Sequence, residues 1–329
     1  MTGLSSTALV FLAALGGCLL MGRGTIRWLS RAQCLSQIRY DDCPPLLAYQ
    51  ETKPQVPTMG GLFVLGVAGV VAIAAGGLTH PDGWLVLMAI VGLGTVGLLD
   101  DWLKCRGQTG CGMRGSPKLL AALGIGALVG ACSASGPEHH STLTLPWVPG
   151  QVELGWLWVP FAMVVVAGSA HAVNLTDGMD GLAAGCVAIA LSVFGVWAGR
   201  GAQGSALVPW CAALAGACVG FLWFNSFPAS VFLGDVGALG LGAALGTISL
   251  LTHAALWLVI IGGVFVAEAL SVMLQVASYK WRGKRRLFRV APIHHHFHLG
   301  GTSEPKLIVR FWIVSMVLAL VGLTRLVLP

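Results

Sequence analysis

The stretch Val231-Phe232-Leu233-Gly234-Asp235-Val236-Gly237-Ala238-Leu239-Gly240-Leu241-Gly242-Ala243-Ala244-Leu245-Gly246-Thr247-Ile248-Ser249-Leu250-Leu251 decides the fold class. It is apolar over the length of a membrane-spanning helix, about 20 residues. Its one charge, Asp235, lies near its start. Its recurrent glycines suit close helix contact in lipid. Working outward, nine more apolar stretches read the same way, at 4–22, 60–78, 84–100, 117–133, 156–173, 182–199, 206–224, 254–277 and 308–328. Together with 231–251 they predict ten spans. The first has no basic residue ahead of it and Arg23 just behind it, the reverse of a secretory signal, so it reads as a retained helix.

The composition agrees. Of 329 residues, 56% are hydrophobic and 10% are charged, against roughly 25% charged in a soluble domain. Such a chain lacks the polar surface for a soluble globule and is far too apolar for disorder. Nine Cys are too sparse for a disulfide scaffold. The net charge of +6 does not mark a nucleic-acid binder; in a membrane protein the placement of cations matters more than their sum. The reading is an all-α polytopic membrane protein, one transmembrane catalytic domain over 1–329. No internal repeat supports an inverted-repeat transporter.

Seventeen of the 19 Lys and Arg fall in or beside three connections, 23–59, 101–118 and 278–310. With ten spans these share one side of the membrane, leaving Arg200 and Arg325 on the other. The positive-inside rule then puts the three connections in the cytoplasm and both termini outside. The same parity brings Asp100, Asp101, Asp177, Asp180 and Asp235 to the cytoplasmic rim. Carboxylates at mid-bilayer cost about 2.5–3.5 kcal/mol each, so five at one rim suggest a polar cleft open to the cytoplasm. Converging carboxylates repel, and hard oxygen donors select Mg²⁺ or Mn²⁺. An acidic, Lys-flanked cleft on a membrane surface points to phosphate chemistry.

Five motifs carry this reading. Asp100-Asp101-Trp102-Leu103-Lys104 puts Asp100 and Lys104 on one helix face. A helix-end ion pair would need only one of the two acids. Asn174-Leu175-Thr176-Asp177-Gly178-Met179-Asp180-Gly181 is either a capped turn or a loop whose amides and acids read a polar ligand. In the third, Asp235 reads as a buried hydrogen-bonded residue or a metal ligand, with Gly234 and Gly237 admitting a phosphate. Pro292-Ile293-His294-His295-His296-Phe297-His298 follows a basic run, which favours anion recognition over zinc; that patch could equally bind anionic lipid. Lys53-Pro54-Gln55-Val56-Pro57-Thr58-Met59-Gly60-Gly61 is weak alone and gains weight from sharing the same side.

PTMGG at 57–61, DDWLK at 100–104, NLTDGMDGLAAG at 174–185, VFLGDVG at 231–237 and PIHHHF at 292–297, in this order on a ten-helix frame, resemble the phospho-N-acetylmuramoyl-pentapeptide-transferase family of the polyprenyl-phosphate sugar-1-phosphate transferases. The resemblance implies a Mg²⁺-dependent transfer of phospho-MurNAc-pentapeptide from UDP-MurNAc-pentapeptide to undecaprenyl phosphate, with release of UMP, in the bacterial inner membrane. It implies Asp235 as Mg²⁺ ligand and Asp100, with Asp101 beside it, deprotonating or positioning the lipid phosphate. Asp177, once proposed as a nucleophile in a two-step scheme, organises metal or substrate if attack is direct. Asp180 and Phe232 resemble the uracil contacts. Lys53, Thr58, Lys104, Lys118, Asn174, Gly178, Asn225, His294, His295 and His296 resemble further substrate or phosphate ligands. The expected partners are the two substrates and membrane lipid, with no nucleic acid, and a homodimer is compatible with the sequence. Val56 stands where the family has Thr, and His298 where an acid follows the His triplet. A GlcNAc-1-phosphate transferase is the close alternative, against which the His triplet argues. A cation transporter is the alternative from another class, against which the one-sided acids argue, Glu268 being the exception.

Overall fold

The computed structural model of the protein describes residues 2–35, 55–106, 112–136, 140–200 and 206–326. Each predicted apolar stretch contains helix among the described residues. The helices are α1 (Thr2–Arg31), α2 (Gly61–Ala74), α3 (Pro81–Arg106), α4 (Gly115–Ser135), α5 (Trp158–Thr176), α6 (Leu182–Ala198), α7 (Leu207–Asn225), α8 (Gly234–Leu251), α9 (Ala255–Ile261), α10 (Gly263–Trp281), α11 (Ile293–His298) and α12 (Glu304–Leu323).

Seven of these are long and apolar enough to cross a bilayer. The stretch expected as one span at 254–277 is instead bent by 85° at Gly262, between α9 and α10; as one broken span it makes eight. The remaining two expected spans are shorter than predicted. With 14 residues in α2 and 17 in α6, a rise of 1.5 Å per residue gives about 21 and 26 Å, short of a hydrocarbon core of about 30 Å. Both end on local chemistry. The chain after α2 turns through Gly76 at φ +86°, and α6 lies between Gly181, at φ +79°, and Gly199.

α8 is the axis of the bundle. Every residue from Val236 to Leu251 is buried, with α3, α5 and α2 packed round it. Its glycines permit this approach: a Cβ on Gly242 would strike the backbone of Ser169 and Ala170 in α5, one on Gly246 the Ser169 hydroxyl, and one on Gly237 both Leu233 and the backbone of Gly61 in α2. Gly97 of α3 makes the reciprocal contact, lying on the backbone of Asp235 and Val236. α1, α4 and α12 sit outside and leave large side chains such as Leu20, Leu120 and Leu320 exposed, as a lipid-facing surface requires.

One departure from an all-α chain lies between α4 and α5. Strands β1 (Thr142–Thr144) and β2 (Gln151–Glu153) form an antiparallel hairpin with Thr142 opposite Glu153 and Thr144 opposite Gln151. It is tied to the end of α8 through His253. The backbone oxygen of His253 accepts from the Thr144 amide at 2.9 Å and hydroxyl at 2.7 Å. The His253 ring meets His140 at 3.2 Å, and His140 Nε2 meets Asp82, in the first turn of α3, at 3.2 Å. Burial holds His253 below the usual imidazole range. The Thr142 hydroxyl donates to Gln151 Oε1 at 3.1 Å, and His253 Nδ1 lies 3.0 Å from both the Thr142 hydroxyl and the Thr142 carbonyl oxygen. This clasp lies at the end of the bundle opposite Asp235.

Candidate active site

At the other end, two distant motifs are joined by backbone. Phe232 N–H donates to Pro57 C=O, Gly60 N–H to Phe232 C=O and Gly61 N–H to Leu233 C=O, each at 2.8 Å. This lays the 57–61 segment along the entry to α8. There Gly234 adopts φ +75°, and a Cβ on it would lie 2.5 Å from Asp101 Oδ2 and 2.9 Å from Thr58 Oγ1. The expectation that Gly234 and Gly237 admit a phosphate is therefore corrected. Gly234 is closed over by Asp101 and Thr58, Gly237 by Leu233 and Gly61, so both serve packing.

The turn at Gly234 delivers Asp235 to the end of α3. Asp100 and Asp101 are buried there. Asp101 Oδ2 accepts from the Val236 amide at 3.1 Å, and Asp100 Oδ1 from the Met113 amide at 2.6 Å. Lys104 Nζ lies 2.5 Å from Asp100, 2.9 Å from Asp235 and 3.4 Å from Asp101. Lys118, from the first turn of α4, lies 3.1 Å from Asp235 and 3.3 Å from Asp100. One oxygen from each of Asp100, Asp101 and Asp235 falls within a 4.8 Å group. Two ammonium groups thus face three carboxylates. Three oxygen donors at this spacing suit a hard divalent cation, which would release the lysines to bind phosphate.

Asp177 caps the end of α5 beside this cluster. Its carboxylate accepts from the Gly234 amide, while burial, then Asp235, Asp101 and Asp180, push it up to about 8. Asn174 and Phe232 are partly exposed nearby in sequence. Asp180 and Asn225 are buried and engaged. Asp180 Oδ2 accepts from the Ala229 amide at 2.9 Å. Asn225 accepts from the Gly181 amide at 3.0 Å and donates to the Val231 carbonyl at 2.8 Å. These bonds stitch the 174–181 loop to the 226–232 segment.

The His triplet forms α11. A Cβ on Gly178 would collide with the ring of His294, so the triplet packs on the Asp177 loop. The His295 ring packs against His294 with centroids 4.1 Å apart and the planes tilted by 59°. His296 faces away from them, its Nδ1 accepting from the Arg289 amide at 3.1 Å. Lys53 lies outside the described residues. Sequence reasoning noted Glu268 only as the exception among the one-sided acids and did not name Glu304; Glu268 lies 3.0 Å from His294, and Glu304 accepts from the Asp180 amide at 3.1 Å. A single acid inside an apolar stretch was the available signal for Glu268.

The profile of glycosyl transferase family 4 matches residues 83–253, which include Asp100, Asp177 and Asp235. Over nearly its whole length the chain is similar to proteins named phospho-N-acetylmuramoyl-pentapeptide-transferase. It is 41% identical to that of Oleidesulfovibrio alaskensis, over 96% of this chain and 91% of that protein. It is 43% identical to that of Citrifermentans bemidjiense, over 93% and 88%. It is 41% identical to that of Methylacidiphilum infernorum, over 94% and 90%.

Proposed function

From the premise that the chain belongs to the phospho-N-acetylmuramoyl-pentapeptide-transferase family, we propose how its acidic cluster performs the family's reaction. The protein is a membrane phosphotransferase of peptidoglycan synthesis. It transfers phospho-MurNAc-pentapeptide from UDP-MurNAc-pentapeptide to undecaprenyl phosphate, giving undecaprenyl-pyrophosphoryl-MurNAc-pentapeptide and UMP.

The reaction exchanges one phosphoanhydride for another, so it runs near energetic balance and needs no ATP. An oxygen of the lipid phosphate forms a bond to the sugar-linked phosphorus, and the bond from that phosphorus to UMP breaks. Both reactants are anions. At 4 Å two unit charges repel by about 4 kcal/mol at an effective dielectric of 20. Lys104 and Lys118 offset that repulsion and bind the diphosphate. Asp100, buried and flanked by both lysines, orients the attacking phosphate. Asp235, with Asp100 and Asp101, holds Mg²⁺, which when bound supplies charge stabilisation for the departing UMP. Asp177 carries or releases a proton beside them. Thr58, Asn174, Gly178, Asp180, Asn225, Phe232 and the His triplet line the substrate path, and the resemblance alone assigns Lys53 to substrate binding. Attack is direct, without a phosphoryl-enzyme.

The observation that carries this reading is the meeting of Asp100, Asp101, Asp235, Lys104 and Lys118 from three helices. The arrangement of cations supports a cytoplasmic-facing cleft in the inner membrane, ten crossings if α2, α6 and the bent α9–α10 pair all cross, and both termini outside. The test is UMP release by the purified protein with undecaprenyl phosphate, UDP-MurNAc-pentapeptide and Mg²⁺. Release that stops with chelator supports it. Release unaffected by chelator removes the metal assignment, and ion flux without UMP would favour a transporter.

A further inference from the structure

The chain from the end of α10 carries six cations in ten residues, Lys280, Arg282, Lys284, Arg285, Arg286 and Arg289. No acid lies in the sequence between Glu268 and Glu304, so this segment has no counter-charge of its own. Such dense like charge ordinarily repels itself into disorder. Here the backbone is fixed. Gln275, partly buried on α10, accepts through Oε1 from the Leu287 amide at 2.9 Å and the Phe288 amide at 2.8 Å, and donates through Nε2 to the Phe288 carbonyl at 3.1 Å. Only this orientation of the Gln275 amide satisfies all three groups, since the reverse would set its donors against two N–H groups. The Ser278 hydroxyl donates to the Arg285 carbonyl at 2.9 Å, and the Lys284 amide to the Tyr279 carbonyl at 3.0 Å. At the far end the Arg289 amide donates to His296 Nδ1 at 3.1 Å, and its guanidinium to the Leu299 carbonyl at 2.7 Å.

Attraction to an anionic bilayer needs cations near its surface and no fixed backbone. Fixing cations before a ligand arrives removes an ordering cost and favours one ligand. The ties also reach α11, whose His294 packs on Gly178 beside the acidic cluster. We propose that Gln275 is a positioning residue that holds 285–289 as a preformed site for the anionic soluble donor, with Arg285 among the charges that meet it. The lipid acceptor brings a single phosphate to Lys104 and Lys118. The donor brings, beyond its diphosphate, a carboxylate-bearing peptide, which the planar guanidinium fits.

The inference rests on the reading of the site as a phosphosugar transferase. The test is steady-state UMP release by the full-length protein in phosphatidylcholine vesicles. KM is measured separately for UDP-MurNAc-pentapeptide and for undecaprenyl phosphate, with the unfolding midpoint alongside. Gln275→Ala should raise the donor KM roughly tenfold, with kcat and the acceptor KM changed by less than about threefold. Arg285→Gln leaves every backbone tie in place and should raise the donor KM about fivefold. In the Gln275→Ala background it should add less than about twofold, because the site it serves is already loosened. An unchanged donor KM, a rise shared equally by both substrates, or losses that multiply would overturn the proposal. So would a donor effect that appears only when anionic lipid is added to the vesicles, which would make the segment a leaflet contact. Should Gln275→Ala lose its unfolding transition, Ser278→Ala removes a single tie and must raise the donor KM about twofold to threefold; no rise refutes. Wild type that releases no UMP would instead sink the transferase reading.

Discussion

Replacing Gly97 by Ala tests whether the helix packing sets the site. A methyl there lands on the carbonyl of Asp235 and 2.5 Å from the Val236 amide nitrogen, where ordinary contact starts at 3.4 Å, a shortfall of about 0.9 Å. Both atoms are backbone, so neither swings aside. α3 and α8 must part, and Asp100 and Asp101 move away from Asp235 by the same amount. Overpacking of this kind costs about 1–3 kcal/mol, and a misplacement near 1 Å lowers rate by about 10²-fold. Gly92→Ala, on the same helix, is the control. Its methyl meets the tip of Ile125 at 2.6 Å, a flexible side chain that can turn. UMP release in detergent, read with the unfolding midpoint, should fall about 10²-fold for Gly97→Ala and less than about threefold for Gly92→Ala. Equal effects, or near-normal turnover in Gly97→Ala, would refute the argument.

Three further outcomes follow from the geometry. Asp235→Asn should lower Mg²⁺-dependent UMP release by at least about 10³-fold with the unfolding midpoint unchanged; a titration of UMP release against Mg²⁺ checks it. Asp177, raised to about 8 in the fold, holds a proton that the unfolded chain has released above about pH 4. In chelator, stability should therefore fall as pH rises towards 8, by at most about 1.4 kcal/mol per pH unit, and level off beyond. Asp177→Asn should flatten that slope in unfolding measured from pH 5 to pH 9. His253→Ala should free the 142–153 hairpin to hydrogen exchange and cost about 1–2 kcal/mol. It should change UMP release by less than twofold, because the 18 residues of α8 put it about 27 Å from Asp235.

Much of the bundle was legible because lipid imposes a one-dimensional code in which apolar length gives helices. The code does not report how helices end or bend. The shortness of α2 and α6 follows from glycine turns at Gly76 and Gly181, and the break at Gly262 sits inside an unbroken apolar run. The acids of the site were legible because charge is rare in such a chain and must cluster. Their mutual distances were not, since these depend on which glycines meet which backbone. The role of Gly237 was misread for that reason: one glycine looks the same whether it admits a ligand or another helix. The hairpin was invisible because three-residue strands carry too little periodicity, and its hold on α8 comes from histidines 113 residues apart.

The contact of Gly97 with the start of α8 has a consequence for ionic radius. Mg²⁺ takes its oxygens at about 2.0–2.1 Å and Ca²⁺ at about 2.3–2.6 Å, so the two ions ask for carboxylates at different intervals. On α3 and α8 that interval is held by backbone touching backbone at Gly97. The spacing offered to any cation is thus fixed by a glycine hydrogen that no metal would touch.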